Sequence, residues 1–312
     1  MRIGEYTMES PLMNAGGLVK TVADARLMAR TAVGAILPGS YTLEPRAGNG
    51  SHGERVYYHD PTTGITYNSL GMPNCGMAAV ADDLPEMIDI AHDHGKPLIF
   101  NFAPVTSDPI GEVIRAFEIL EQKAISLDGF ELNASCPNVV IVGGARHEIL
   151  SAHPGLFGDV AGEISDISVN KVGIGTIIAR ISPFGNPGDE HGLVVASKGS
   201  LDAFSGFNTF PGGRPRRPDG SDVLEVPGGI GGQSGPGMTS LAEAQTVRLL
   251  AAIKKHDADI EVIGSNGIAD AGAMKRRLDL GVSAVSATTL FWEAQSWAKA
   301  ADKLLRDYAE LQ

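Results

Sequence analysis

Short apolar runs alternate with longer amphipathic stretches along most of the 312-residue chain, and this alternation restricts the fold more than any other feature. The short runs are bounded by turn residues, which is typical of buried strands, and the longer stretches have helical spacing. Predicted strands cover residues 33–37, 97–102, 129–133, 175–181, 203–208, 260–263 and 284–287. Predicted helices cover residues 22–30, 83–94, 110–123, 240–255, 271–280 and 293–311. About eight strand–helix units favour an α/β fold of the closed (β/α)8 TIM-barrel type over an open doubly wound sheet.

Two irregular segments interrupt this alternation: residues 44–72, and the Gly-, Pro- and Arg-rich residues 210–237. Neither segment divides the chain cleanly, so we expect one barrel domain over residues 1–312. Long connections in a barrel enzyme commonly lie where the strands end and the ligand binds. We therefore expect both segments to be long loops on the catalytic rim.

Composition and charge exclude several classes of protein. The formal net charge of −12 argues against a nucleic-acid partner, which requires clustered Lys and Arg. Two cysteines, Cys75 and Cys136, are too few for a disulfide framework or a Cys-rich zinc site, and we expect no bound metal. No apolar run reaches the roughly 18 residues of a membrane span, and residues 1–5 lack a signal-peptide core. We therefore expect a cytoplasmic protein without a membrane partner.

Side chains just beyond the carboxyl ends of barrel strands face the active site. This rule selects residues 38–40, Asn101, residues 133–138, Arg180, residues 208–209, residues 264–267 and residues 287–288. None of these positions is a lysine, which argues against a Schiff-base aldolase.

The last two selected strand ends have the composition of a phosphate site. Gly264-Ser265-Asn266-Gly267 precedes Asp270 and a predicted helix, so backbone N–H groups are expected at a helix N-terminus. The small residues Ala287-Thr288 let a second loop approach the same anion, and residues 228–232 (GGIGG) add a third. Ordinary turn chemistry explains each cluster separately, but the three together favour phosphate binding.

The most informative segment is residues 133–138 (NASCPN), which places two amides, a hydroxyl and a thiol at one strand end. An Asn side chain both donates and accepts, which suits a planar ring with alternating C=O and N–H groups. Asn68, Asn74 and Asn208 supply more of the same chemistry. The Cys136 thiol is a candidate base or nucleophile, with an inert buried thiol as the alternative.

Six segments occur in the order seen in dihydroorotate dehydrogenases: residues 13–17, 42–44, 68–74, 131–138, 228–232 and 264–268. Residues 68–74 (NSLGMPN) and 131–138 (ELNASCPN) are specific to these enzymes, whereas the glycine segments are not. From about residue 11 to residue 296 the chain resembles the soluble class 1 enzymes, most closely the class 1A type with a cysteine base. The resemblance implies an FMN-bearing barrel and a homodimer. It also implies oxidation of dihydroorotate to orotate in pyrimidine biosynthesis, with a soluble electron acceptor such as fumarate.

Position by position, the resemblance implies roles for individual residues. Cys136 would take the C5 proton of the pyrimidine, and Ser135 is the second catalytic candidate. FMN and its phosphate would be held by Ala15, Gly16, Ser40, Asn101, Asn133, Arg180, Gly231, Gly232, Asn266, Gly267, Ala287 and Thr288. The substrate would be held by Asn68, Gly71, Met72, Asn133, Asn138, Asn208 and Thr209.

Two positions depart from the family pattern. Gly39 stands where the family carries a lysine that touches the flavin and the substrate carboxylate, and Arg180 stands in place of a second lysine. Arg180 keeps the positive charge, whereas Gly39 removes a charge-assisted hydrogen bond worth about 1.5–3 kcal/mol. Lys20 and Arg46 are nearby in sequence and are candidates to replace the missing cation.

The departure at Gly39 leaves two alternatives open. One is a flavin-dependent enzyme that acts on a cyclic amide without a carboxylate, and the other is an FMN-binding barrel with little turnover. If the substrate is carboxylated, we expect Gly39→Lys to tighten its binding. The chain has no cysteine cluster for an iron–sulfur centre, which favours the single-chain soluble type and leaves a partner subunit open.

Overall fold

A computed structural model describes residues 1–135, 149–170 and 173–312. The strands are β1 (Arg2–Ile3), β2 (Tyr6–Thr7), β3 (Leu12–Asn14), β4 (Tyr57–Asp60), β5 (Ile65–Asn68), β6 (Ile99–Phe102), β7 (Leu127–Asn133), β8 (Ile174–Ile181), β9 (Ala203–Gly206), β10 (Phe210–Gly213), β11 (Gly231–Ser234), β12 (Glu261–Ser265) and β13 (Ala284–Ala287). The α-helices are α1 (Val22–Ala29), α2 (Met77–Asp93), α3 (Pro109–Gln122), α4 (Pro154–Asn170), α5 (Asp189–Ser197), α6 (Thr239–Lys255), α7 (Ala271–Asp279), α8 (Thr289–Trp292) and α9 (Trp297–Ala309). Short 3₁₀ helices cover Leu150–Ala152, Pro227–Gly229 and Pro236–Met238.

Parallel strands form a closed barrel. Seven of them pair in the order β3-β13-β12-β9-β8-β7-β6. The two edges are joined through residues 34–41, where the Gly34 N–H donates to the Leu12 carbonyl at 2.8 Å and the Ile36 N–H donates to the Pro97 carbonyl at 3.0 Å. Isolated parallel bridges continue this pairing on both sides. The predicted TIM-barrel fold is therefore confirmed, with residues 34–41 in the place of the predicted strand 33–37.

The barrel interior has an apolar layer below a polar one, because alternate strand residues share a face. The apolar layer contains Met13, Leu37, Ile99, Ile178, Ala203, Ile263 and Ala284. Two residues further along their strands stand the buried polar side chains of Asn101, Arg180, Ser205, Ser265 and Ser286. Ile3 and Met8, at the N-terminal hairpin β1–β2, pack on the apolar layer, and the Gly4 N–H donates to Glu261 at the start of β12. The polar layer is therefore left at the opposite end, where the strands finish.

The helices cover the outside of the barrel, and α1, α3, α7 and α9 begin at side chains that accept backbone N–H bonds. Thr21 and Asp24 form a capping box at α1, and Asp108 caps α3 just before a proline. Strand β3 and helices α4 and α5 were not predicted. β3 has only three residues, and α5 begins after Gly188 without a side-chain cap. No helix within the described ranges is long and apolar enough to span a bilayer.

The two segments predicted as long loops instead pair with each other. They form a four-stranded antiparallel sheet in the order β10-β11-β5-β4. The β4–β5 hairpin turns at Asp60, whose carboxylate accepts from the Thr62 N–H at 2.9 Å and the Thr63 hydroxyl at 2.8 Å. Both segments therefore lie on the rim of the barrel as expected, and what the sequence did not predict is that each contains two short strands. Each segment supplies two paired strands, and the β5–β11 pairing that joins the two pairs into one sheet forms only when the barrel brings the segments together.

Candidate active site

A cavity of about 270 Å³ lies at the carboxyl ends of the barrel strands, next to the antiparallel sheet. The predicted site residues that line it are Ala15, Gly16, Ser40, Asn68, Gly71, Met72, Asn133, Arg180, Asn208, Thr209, Asn266, Gly267, Ala287 and Thr288. The strand-end rule therefore collected residues that the fold brings to one site. Lys20, a candidate cation from the sequence, also lies on the lining, and lining residues that the sequence did not assign to the site include Phe207, Ser234, Gly235 and Trp292.

Hydrogen bonds join several of the predicted polar side chains into one network. Asn133 Nδ2 donates to Ser40 Oγ at 2.7 Å, and Ser135 Oγ donates to Asn133 Oδ1 at 2.9 Å. Asn208 Nδ2 in turn donates to Ser135 Oγ at 3.0 Å. Ser135 is buried behind the lining, so it orients the two amides from the protein side. The next predicted residues along the chain, Cys136 and Asn138, lie outside the described residues.

Arg180 is held in the cavity wall by a buried carboxylate. Its Nε donates to Glu131 Oε1 at 3.0 Å, and Asn101 Nδ2 donates to the same oxygen. Asn101 is fully buried and is not a lining residue, although it was predicted to touch the flavin. The carboxylate therefore fixes the guanidinium and the amide together. Sequence reasoning did not identify Glu131 as their partner.

Lys20 is a second cation on the cavity lining. Its Nζ donates to the Ser40 carbonyl at 2.7 Å and lies 5.4 Å from the centre of the Tyr41 ring. Arg46, the other candidate from the sequence, donates its Nε to the Gly71 carbonyl at 3.2 Å and is not a lining residue. Across the described residues, no Asp or Glu lines the cavity. The electrostatics of this lining favour an anionic ligand.

Position 39 has no room for a side chain. The φ angle of Gly39 is +119°, and a Cβ there would lie 2.4 Å from the Asn101 carbonyl oxygen. Because that neighbour is backbone of strand β6, it cannot rotate away. A side chain at position 39 would therefore require a shift of this backbone, which opposes the expected tightening of a carboxylated ligand by Gly39→Lys.

Three segments with mainly small side chains meet on the lining: Ser234-Gly235, residues 266–268 and residues 287–289. Asn266 Nδ2 donates to the Gln233 carbonyl at 3.3 Å, which ties the first two together. The second and third follow the neighbouring parallel strands β12 and β13. This is the region to which the sequence assigned phosphate binding.

Two details of that assignment differ in the structure. Gly231 and Gly232 lie in strand β11 and are not lining residues. A Cβ at position 232 would lie 2.0 Å from Thr209 Oγ1, so glycine there lets Thr209 pack against β11 while lining the cavity. The start of α7 is capped by the chain itself, because the Asp270 carboxylate accepts from the Ala273 N–H at 2.8 Å. Ser234 and Gly235, just beyond β11, reach the cavity instead.

Arg277 lies beneath the loop that follows β12. It is fully buried, and it donates to the Ser265 carbonyl at 2.8 Å and to the Asn266 carbonyl at 3.2 Å. Burial lowers the pKa of Arg277 to about 10. The sequence shows only a basic residue within a helix, so nothing in its pattern identified this role.

The dihydroorotate dehydrogenase family model matches residues 1–307. The chain belongs to the dihydroorotate dehydrogenase family. It is thus an oxidoreductase, as the resemblance implied.

The names of relatives within the dihydroorotate dehydrogenase family indicate two types of electron acceptor. The catalytic subunit of dihydroorotate dehydrogenase B (NAD(+)) from Bacillus caldolyticus is 30% identical over 288 residues, covering 91% of this chain and 82% of the relative. A putative dihydroorotate dehydrogenase A (fumarate) from Solibacter usitatus is 29% identical over 307 residues, covering 95% and 89%. The identities are nearly equal, so the class 1A assignment stays a prediction.

Solved structures agree with the barrel. Ligand-free dihydroorotate dehydrogenase from Eimeria tenella superposes with a TM-score of 0.76 at 16% identity, covering 100% of this chain and 86% of that one. The complex of that enzyme with ferulenol gives a TM-score of 0.74 at 15% identity, covering 99% and 83%. At these identities the likeness shows the fold alone.

Proposed function

We propose that this protein oxidises dihydroorotate to orotate with FMN as hydride acceptor, and that a soluble compound such as fumarate takes the electrons onward. The observation that carries the proposal is the network of Ser40, Asn133, Ser135 and Asn208 on the wall of a cavity that also holds Arg180. Amides at the ends of different strands suit a flat ring that has N–H and C=O groups on its edge.

The cavity residues fit FMN. A phosphate requires N–H and hydroxyl donors and no competing carboxylate, and the described lining contains no acid. Ser234-Gly235, Asn266-Gly267 and Ala287-Thr288 would hold the phosphate, with Arg277 behind them. Ala15, Gly16, Ser40 and Asn133 would line the flavin ring, with Asn101 behind them. When bound, FMN supplies a two-electron acceptor.

The chain's own residues then hold the substrate and move its proton. Asn68, Asn133 and Asn208 would bind the ring edge, together with Asn138. The C6–H electron pair leaves as hydride, the C5–H pair becomes the new C5=C6 bond, and Cys136 takes the C5 proton. Gly71, Met72 and Thr209, on the cavity lining, would close around the ring and exclude water.

Arg180 would place a fixed positive charge at the flavin, a group whose reduced form is commonly anionic. The bond to Glu131 keeps the Arg180 guanidinium in one orientation. Preorganised charge of this kind needs no rearrangement as the reaction proceeds.

We further propose that residues 1–312 act as one domain in a cytoplasmic homodimer, as the resemblance to soluble class 1 enzymes implies. Size-exclusion chromatography with light scattering tests the dimer. A monomer at working concentration would contradict that part of the proposal.

The main experiment follows the flavin of the purified protein. Mass spectrometry of the denatured supernatant should find FMN, and anaerobic dihydroorotate should bleach the flavin band, whereas dihydrouracil, which lacks the carboxylate, should not. FAD or no flavin would contradict the cofactor. Bleaching by dihydrouracil alone would favour the neutral-amide alternative.

The names of the relatives support a second candidate for the electron acceptor. The Bacillus caldolyticus relative is named as a catalytic subunit of an NAD(+) enzyme. Reoxidation of the reduced protein by fumarate would support the first candidate. Failure of both fumarate and NAD⁺ with the isolated chain would favour transfer to NAD⁺ through a partner subunit.

A further inference from the structure

Two basic side chains line the cavity of this acidic protein. Lys20 and Arg180 line it, no acidic side chain of the described residues does, and the formal net charge of the chain is −12. Arg180 already has a buried carboxylate partner, Glu131, at 3.0 Å. Lys20 donates to the Ser40 carbonyl at 2.7 Å and lies on the lining close to the amide network.

The backbone of Lys20 is fixed before any ligand arrives. Its N–H donates to Asp24 Oδ2 at 3.0 Å within the cap of α1, and its carbonyl accepts from the Tyr41 hydroxyl at 2.9 Å. The ammonium also lies over the Tyr41 ring. Because these contacts restrict the Lys20 side chain, it loses less conformational entropy on binding an anion than a mobile surface lysine would lose.

Ser40 connects this ammonium to the amide network. Its carbonyl accepts from Lys20, and its hydroxyl accepts from Asn133 at 2.7 Å. The preceding residue, Gly39, has no space for a side chain of its own. A cation at this strand end therefore has to come from another element, and Lys20 lies on the loop before α1.

The position of this strand end separates Lys20 from the proposed phosphate segments. Around the barrel, strand β3 stands between residues 34–41 and β13, and β12 is one strand further away. Ser40 is instead hydrogen-bonded to the amides proposed to hold the ring.

We propose that Lys20 binds the carboxylate of the substrate and thereby selects carboxylated rings over neutral cyclic amides. This inference rests on the proposed function. Lys20 acts as a specificity residue: its ammonium meets a group on the ring that does not react.

The test uses FMN-loaded protein and two ring ligands, orotate and uracil, which lacks the carboxylate. Binding is followed by the flavin absorbance of wild type, Lys20→Met and Lys20→Arg. Lys198→Met is the matched control, because the Lys198 ammonium likewise donates to a backbone carbonyl, that of His256 at 2.9 Å, and Lys198 is not a cavity residue.

Lys20→Met should weaken orotate about ten- to hundredfold, the effect of one lost charge-assisted hydrogen bond. Uracil affinity and FMN content should stay unchanged, and Lys20→Arg should recover most of the orotate affinity. In turnover, Lys20→Met should raise KM for dihydroorotate more than it lowers kcat.

Orotate affinity that is unchanged in Lys20→Met would overturn this inference alone, because wild-type binding would still support the proposed function. Loss of FMN in Lys20→Met would also overturn it, since the ammonium would then hold the cofactor. A wild type that binds uracil but not orotate would overturn both.

Discussion

Arg180 and Glu131 form a buried ion pair between neighbouring barrel strands, with Nε 3.0 Å from Oε1. The strand register places Asn133 directly opposite Arg180, so one strand supplies both the carboxylate that holds the guanidinium and an amide of the cavity wall. Asn101, from the strand on the other side, donates to the same carboxylate. Three adjacent strands are thereby tied together at the polar layer under the cavity.

Arg180→Met should destabilise the protein by about 3–5 kcal/mol, because it leaves the Glu131 carboxylate buried without its cation. Adding Glu131→Gln to this variant should restore part of the loss, since a neutral amide costs less to bury. The measurement is the free energy of urea unfolding for the two single variants and the double variant. Additive losses would show that the two side chains do not interact.

Cys136→Ala should slow flavin reduction by dihydroorotate by about 10²–10⁴-fold, the usual contribution of one acid–base group, while FMN stays bound. Stopped-flow absorbance under anaerobic conditions measures the rate. Cys75→Ala is the control, because Cys75 is an exposed thiol and is not a residue of this cavity. Reduction of Cys136→Ala at the wild-type rate would exclude the thiol as the base.

Arg277→Met should weaken FMN binding by about tenfold, because the Ser265 and Asn266 carbonyls lose their donor and the loop that they belong to is no longer held. FMN affinity is measured by fluorescence titration of apoprotein. Arg276→Met is the control, because Arg276 is the preceding residue and its guanidinium is largely exposed and pairs with Glu243 at the surface. Equal losses in the two variants would argue against a specific role for Arg277.

Gly39→Ala should destabilise the protein more than Gly17→Ala. Both glycines have a positive φ, which costs an L-residue about 1–3 kcal/mol. A Cβ at position 17 meets nothing within 4 Å, whereas one at position 39 lies 2.4 Å from the Asn101 carbonyl oxygen. Urea unfolding of both variants measures the difference, and equal losses would contradict the close approach of Gly39 to Asn101.

Stability should fall as the pH rises above about 10, the ordinary pKa of tyrosine. Burial raises the pKa of Tyr41 well above that value, and it raises the pKa of Tyr6 to about 12. The folded protein therefore keeps these protons at a pH where the unfolded chain has lost them, which favours unfolding. Urea midpoints at increasing pH measure the fall, and Tyr41→Phe should make it less steep. A slope unchanged in Tyr41→Phe would show that Tyr41 ionises normally in the folded protein.

Much of the site could be predicted from the sequence, because in a parallel barrel the place of a residue along its strand fixes the end of the barrel at which it lies. The residues just after apolar runs, such as Asn133, Arg180 and Asn208, lie together because parallel strands all end on the same side. The period of two along each strand also fixes which side chains point inward, so Ile178 contributes to the apolar layer and Arg180 to the polar layer above it. Both properties are local to each strand and can be read from the chain.

Tertiary structure decided the features that depend on contacts between distant segments. The glycines of β11 were expected in a phosphate loop, but strand pairing places Gly232 opposite Asn68. Ser234 and Gly235, which follow in the chain, line the cavity instead. Lys20 and Arg277 belong to the site because packing brings a loop before α1 and the buried face of α7 against strand ends. The sequence offered Lys20 only as an alternative to Arg46 and did not single out Arg277, since charge alone does not tell where a side chain is directed. Sequence periodicity therefore determined the barrel and the strand-end residues. Close packing between distant segments placed Lys20 on the cavity lining and Arg277 beneath it.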